Sequence, residues 1–121
     1  MRNGPRSTVL LVGFEADIQG LASLLSATTA DFALLTENAT ETDIPKAADI
    51  VVYAMSEDTG FSSQLHSVFV YVHDRILTNE EYLVAVGNVD LKKASFPELS
   101  HLPQASIGEI QQRLNIPRRL G

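Results

Sequence analysis

The chain has 121 residues, a mass of 13.2 kDa and a formal net charge of −6, the size of one domain whose core needs no covalent staple. It has no cysteine, which excludes disulfide frameworks, thiolate metal sites and cysteine nucleophiles, and no apolar run approaches the ~18 residues of a membrane span. Between Ser7 and Asp74 ten acids stand against one base, Lys46, so the body repels a phosphate backbone and direct nucleic-acid binding is disfavoured.

Met1 to Ser7 holds Gly4 and Pro5 and no periodicity. It reads as a flexible arm without a signal-peptide core, which makes the cytoplasm the expected compartment. From Thr8 the apolar run Val9-Leu10-Leu11-Val12 predicts a strand buried on both faces, ended by Gly13. Ala16 to Ala30 changes period, with Ile18, Leu21, Ala22 and Leu25 on one helical face. Phe32 to Leu35 is a second apolar run, and Pro45 to Ala48 suits a short helix with Pro in its first turn. Asp49 to Met55 is the clearest strand, β-branched and flanked by polar residues.

Phe61 to His66 reads as a weak helix and Val68-Phe69-Val70-Tyr71-Val72 as a fourth strand. Thr78 and Glu81 have capping-box spacing, which predicts a helix through Tyr82 to Val86 with Gly87 as its cap; a strand from Tyr82 is the competing reading. Val89 to Lys92 is the fifth strand candidate. Ser106 and Glu109 form a second capping box, and Ile107, Ile110 and Leu114 line one face of a last helix stopped by Asn115 and Pro117. Alternating strands and amphipathic helices over residues 8–116 imply one α/β domain: a doubly wound three-layer sandwich around a five-stranded parallel sheet. Residues 117–121 read as a tail or the start of a linker.

In such a sheet, functional groups gather beyond the carboxyl ends of the strands. Gly13, Phe14 and Glu15 follow the first strand, Glu37 the second, Ala54-Met55-Ser56 the third, and His73-Asp74 the fourth. The segment Ala85-Val86-Gly87-Asn88-Val89-Asp90-Leu91-Lys92-Lys93-Ala94, followed by Phe96-Pro97-Glu98-Leu99, resembles the response-regulator receiver pattern. There a helix ending in an Ala-x-x-Gly-like step precedes a strand end of the type Asp-Tyr-Leu-x-Lys-Pro. Length and element order agree with that family from Thr8 to Leu114, and the Asp49–Ala54 strand matches the one that ordinarily ends in the phosphoacceptor aspartate.

The departures carry the functional reading. A working receiver needs an acid pair after its first strand and an aspartate on its third, because hard carboxylate oxygens hold Mg²⁺ and a carboxylate attacks phosphorus. Here the acid-pair positions are Gly13 and Phe14, the nucleophile position is Ala54, and the hydroxyl position falls on Val72. Only the lysine is kept, as Lys93 or, one place off, Lys92. A register slip that promoted Glu15, Asp17, Glu57 and Asp58 into the site is the competing arrangement; the bland one leaves them as solvated acids near loops and a helix start.

The resemblance therefore implies a non-catalytic, receiver-like regulatory domain, with no cofactor or metal. It would act through a protein partner or a second copy, independently of aspartyl phosphorylation. Receivers commonly pair through their fourth helix, fifth strand and fifth helix, which here implies a face of Tyr82, Val86, Leu91, Phe96, Ile107, Ile110 and Leu114. The rival is a small Rossmann-type nucleotide-binding domain using Gly13 and, at the end of the second strand, Glu37 as a ribose-binding acid. The loop lacks the further fingerprint glycines, and Glu15 and Asp17 would repel a pyrophosphate. His73 beside Asp74 is a general-base pattern without an identifiable nucleophile.

Overall fold

The structure, a computed structural model, describes residues 7–26, 30–57, 59, 62–94 and 97–115. Its elements are β1 (Thr8–Val12), α1 (Glu15–Leu25), β2 (Asp31–Leu35), a 3-10 turn (Glu41–Asp43), β3 (Ile50–Met55), α2 (Ser63–Arg75), β4 (Glu80–Ala85), α3 (Leu91–Ala94), β5 (Gln104–Ala105) and α4 (Ile107–Asn115). The five strands pair in parallel in the order β2-β1-β3-β4-β5. This is the doubly wound, flavodoxin-like order, with its switch point between β1 and β3.

The two central strands are buried on both faces, which is why they carry unbroken apolar sequence. Val9, Leu11, Ile50, Val52 and Ala54 point to one side, where they meet Ile18, Leu21 and Leu25 of α1 and Ile110 and Leu114 of α4. Leu10, Val12, Val51, Tyr53 and Met55 point to the other, against Leu65, Val68, Phe69 and Val72 of α2 and Leu99. The sandwich thus has α1 and α4 in one outer layer and α2 in the other.

Several elements differ from the sequence expectation. Val68 to Val72 is not a strand but the middle of α2. Leu65, Val68, Phe69 and Val72 are buried, at spacings i, i+3, i+4 and i+7, and the Ser62 hydroxyl caps the helix by accepting the Leu65 N–H at 3.0 Å. The helical period outweighs the β propensity of the Val-Phe-Val-Tyr-Val run because α2 must lay one stripe on β3 and β4. Phe61, the expected start of that helix, lies outside the described residues.

The fourth strand is the segment read as a helix. Leu83 and Val84 of β4 are buried on opposite faces, as a strand between two neighbours requires. The Thr78 hydroxyl makes no helix cap; it bonds the Asp49 carbonyl at 3.0 Å and the Glu80 carbonyl at 3.1 Å. Val89 to Lys92 is not the fifth strand: it runs into α3, and β5 is the two-residue stretch Gln104–Ala105, paired with Leu83 and Val84. Between β2 and β3 the chain makes a 3-10 turn instead of a helix at Pro45 to Ala48, and Ala47 joins Leu77 in an isolated parallel bridge. Arg75 pairs with Glu41 and lies over the Tyr71 ring at 4.4 Å, tying α2 to that turn. No helix among the described residues is long and apolar enough to cross a membrane.

Candidate functional site

The carboxyl ends of β1 and β3 meet at the switch point, and there the structure brings Gly13 and Ala54 together. Both are buried. A Cβ on Gly13 would lie 2.9 Å from the Ala54 Cβ, 3.0 Å from Ile18 Cγ2 and 3.2 Å from the Ala54 carbonyl oxygen. Two of the smallest residues close this end of the sheet against each other and against α1. A carboxylate at position 13 has no room for even its first carbon.

Several backbone donors around this point are engaged. Gly13 N–H extends the β1–β2 ladder to the Leu35 carbonyl at 3.1 Å, and Val86 N–H reaches the Met55 carbonyl at 2.7 Å. After β3 the chain closes on itself: Ser56 N–H donates to Thr59 Oγ1 at 3.0 Å, and Thr59 N–H returns to the Ser56 carbonyl at 3.1 Å. Phe14, at the N-cap of α1, supplies no side-chain cap and packs against the α2-side core. Glu37, two residues beyond β2, fills that role: its Oε1 accepts the Glu15 N–H at 3.1 Å. A carboxylate at a helix N-terminus is favoured by the macrodipole. Glu37 thus stands on the donor that a bound pyrophosphate would use in the nucleotide-binding reading.

Val72 and Lys93 do not stand at strand ends: Val72 is a core residue of α2, and Lys93 lies on α3. The residues that follow β4 and β5 are Val86 and Ser106. Ser106 accepts the Glu109 N–H at 3.1 Å and donates its own N–H to Glu109 Oε1 at 3.3 Å, the reciprocal box that its spacing predicts. Glu15 and Asp17 lie in the first turn of α1, Glu57 is exposed, and Asp58 lies outside the described residues. No three His, Asp or Glu side chains among the described residues gather as a metal-binding group.

Of the expected interaction face, part is core and part is half-buried. Ile110 and Leu114 are buried, and Tyr82, Val86 and Ile107 pack half-buried against the same cluster. Leu91 joins the opposite layer, and Phe96 lies outside the described residues. The apolar stripe of α4 is used to cover the sheet. A polar latch holds it there: Arg113 Nε and its terminal nitrogen donate to the two Glu80 oxygens at 2.9 and 2.5 Å, and the Tyr82 hydroxyl donates to Glu80 at 2.9 Å.

One constellation escapes the sequence reading. His73 is served not by Asp74 but by Glu81 of β4, whose oxygens lie 3.1 Å from Nδ1. The ionised carboxylate can only accept, so His73 donates from Nδ1. The buried Tyr53 hydroxyl donates to the same Glu81 at 2.7 Å. Burial first, then this bond and the charges of Glu81 and Asp74, push the Tyr53 hydroxyl well above the ordinary tyrosine value. His101 stands edge-on to His73 with ring centres 5.6 Å apart, and His66 pairs with Glu98 at 3.0 Å. All three histidines thus line the seam between α2 and residues 97–102. Glu81 was hidden because its inward direction follows only once β4 is known to be a strand, with Glu81 level with Val51. Along the outer side of α2, His66, Tyr71, Arg75 and Glu98 line an open groove of about 410 Å³. Comparison with protein-family models, with curated proteins and with solved structures found no match.

Proposed function

We propose that this chain is a non-catalytic, receiver-like regulatory domain of the cytoplasm that works through protein–protein contacts, independently of aspartyl phosphorylation. The observation that carries the reading is the closure of Gly13 on Ala54. The positions that would hold the metal-binding acids and the nucleophile in a working receiver are filled by packed apolar atoms. The sheet order is the one such domains share, so the scaffold is kept while the chemistry at its carboxyl end is replaced by packing. The nucleotide-binding alternative is disfavoured by Glu37, which engages the first amide of α1.

Thermal unfolding against Mg²⁺ with beryllofluoride, NAD(P), ATP and GTP tests the reading. A ligand that binds only the folded state at a hundredfold excess over its dissociation constant adds about 2.7 kcal/mol. The expected result is no shift with any of them. A shift with Mg²⁺ and beryllofluoride would reveal a working acidic site, and a shift with a nucleotide would promote the Rossmann alternative.

A further inference from the structure

The sheet has two unequal edges. β5 is two residues long, whereas β2 runs for five, Asp31-Phe32-Ala33-Leu34-Leu35. Among the described residues no strand pairs with the outer side of β2. Apart from the exposed Asp31 at its start, it lacks the usual protections of an exposed edge: no lysine, no proline, no bulge against β1. Leu34 is 42% exposed in the middle of it.

The hydrogen-bond phase of β2 is fixed by its inner neighbour. Asp31 N–H donates to Ser7, and the Leu35 carbonyl accepts from Gly13. In a parallel ladder the bonding residues alternate. Residues 31, 33 and 35 therefore bond inward to β1, and the N–H and C=O of Phe32 and Leu34 point outward.

From this edge we infer that the partner of β2 is a second copy of the same strand, paired antiparallel about a two-fold axis through Ala33. Phe32 then faces the partner's Leu34, and Leu34 the partner's Phe32. Those are the residues with outward groups, so each pair exchanges both of its hydrogen bonds and all four outward groups on each strand are satisfied. Ala33 meets its own symmetry mate at the close, non-hydrogen-bonded position, where Cα atoms approach to about 4.5 Å and a small side chain fits. Phe32 and Leu34 lie on one face of the sheet, level with Val9 and Leu11, so the ring of one copy covers the exposed leucine of the other. Charge is also compatible: the antiparallel direction sets Asp31 against the partner's Leu35 and not against a second Asp31. An isologous pairing of this kind closes as a dimer and goes no further. The product is one ten-stranded sheet with β2 at its centre. Because each copy carries a net charge of −6, association strengthens as salt screens the repulsion.

The inference names a partner for the interaction module proposed above and rests on that reading, but the two fail separately. A nucleotide or beryllofluoride shift overturns the module and leaves the mass of the species unchanged. The test is sedimentation equilibrium of the full chain up to about 1 mM, the range for a weak interface, joined to amide hydrogen exchange by NMR. The expected mass rises from 13.2 kDa toward twice that value. In step with it, the Phe32 and Leu34 amides gain protection, while those of Ala33 and Leu35 are protected throughout. Leu34→Glu weakens association at least tenfold, and Tyr71→Ser, on the far side of α2, does not. A monomer at every concentration overturns the proposal. So does a dimer whose Phe32 and Leu34 amides stay open, a result that needs no variant to fold.

Discussion

Replacing Gly13 by alanine probes the junction on which the functional reading rests. Gly13 needs no unusual backbone: Gly87 is the glycine of positive φ among the described residues. It needs proximity. The added methyl would stand 2.9 Å from the Ala54 Cβ and 3.0 Å from Ile18 Cγ2, and neither neighbour is the far end of a flexible chain. The backbones of β1 and β3 or the start of α1 must give way, and overpacking of this kind costs about 1–3 kcal/mol. Loss of glycine's freedom in the unfolded chain returns about 0.4–1 kcal/mol. The net expectation is a destabilisation of about 1–2 kcal/mol, read as a melting point lowered by about 4 °C per kcal/mol at this chain length. Urea unfolding of the wild type, Gly13→Ala, Ala54→Gly and the double variant isolates the clash: the double variant should be more stable than the sum of the two single losses. Gly20→Ala is the internal control. An alanine there meets nothing within 4 Å on an exposed face of α1, so helix propensity should stabilise it by up to about 1 kcal/mol. A Gly13→Ala protein as stable as the wild type, or more so, would refute the reasoning.

Tyr53→Phe removes the buried hydroxyl donated to Glu81 and should lower stability by about 1–2 kcal/mol in urea unfolding. The same bond gives a pH signature. The Tyr53 hydroxyl has a folded pKa raised above its unfolded value. Its stabilising contribution is therefore complete below about pH 10 and declines as pH rises past it; absorbance at 295 nm should show this tyrosine ionising only together with the loss of circular dichroism. Glu37→Gln keeps an acceptor but removes the charge at the start of α1, with an expected cost of about 0.5 kcal/mol that shrinks in high salt; a salt-independent cost would show that the carboxylate acts otherwise. Gly87→Ala meets no atom within 4 Å but holds φ at +84°, so it should cost about 1–2 kcal/mol through the backbone alone, checked by melting temperature.

The parts of the fold legible in the sequence are those where one physical demand dominates. β1 and β3 are buried on both faces, and the unbroken runs Val9–Val12 and Ile50–Met55 admit no other use. α4 announces itself by a capping box and a clean stripe. In α2 and β4 two signals compete. Val68 to Val72 satisfies both strand propensity and helical spacing, and the choice is made by the slot between β3 and β4, which no local window contains. The Ser62 cap was the local clue. Thr78 offered a cap that is spent instead on the carbonyls of Asp49 and Glu80. β5 has no apolar run to notice: Gln104 and Ala105 are strand only because β4 lies beside them. The site followed the same division. Ala54 stands on β3 and Gly13 directly follows β1, both legible strands, and their approach to each other follows from the pairing of those strands. Val72 and Lys93 depended on the misplaced fourth and fifth strands. Glu81 is not legible locally, since the face it takes is set by the pairing of β4 with β3 and its partners Tyr53 and His73 lie 28 and 8 residues away in the sequence.

The central claim is that the carboxyl end of the sheet is closed by packing between Gly13 and Ala54. The most direct measurement is an amide chemical-shift titration of the full chain with Mg²⁺ and beryllofluoride and, separately, with ATP and NAD. The account predicts that the amides of Gly13, Glu15, Ala54, Ser56 and Val86 stay in place in all of them, because their bonds to Leu35, Glu37, Thr59 and Met55 and the contacts around them are already made. Saturable shifts centred on Gly13 and Ala54 would contradict it, since they would require this end of the sheet to open and hold a ligand.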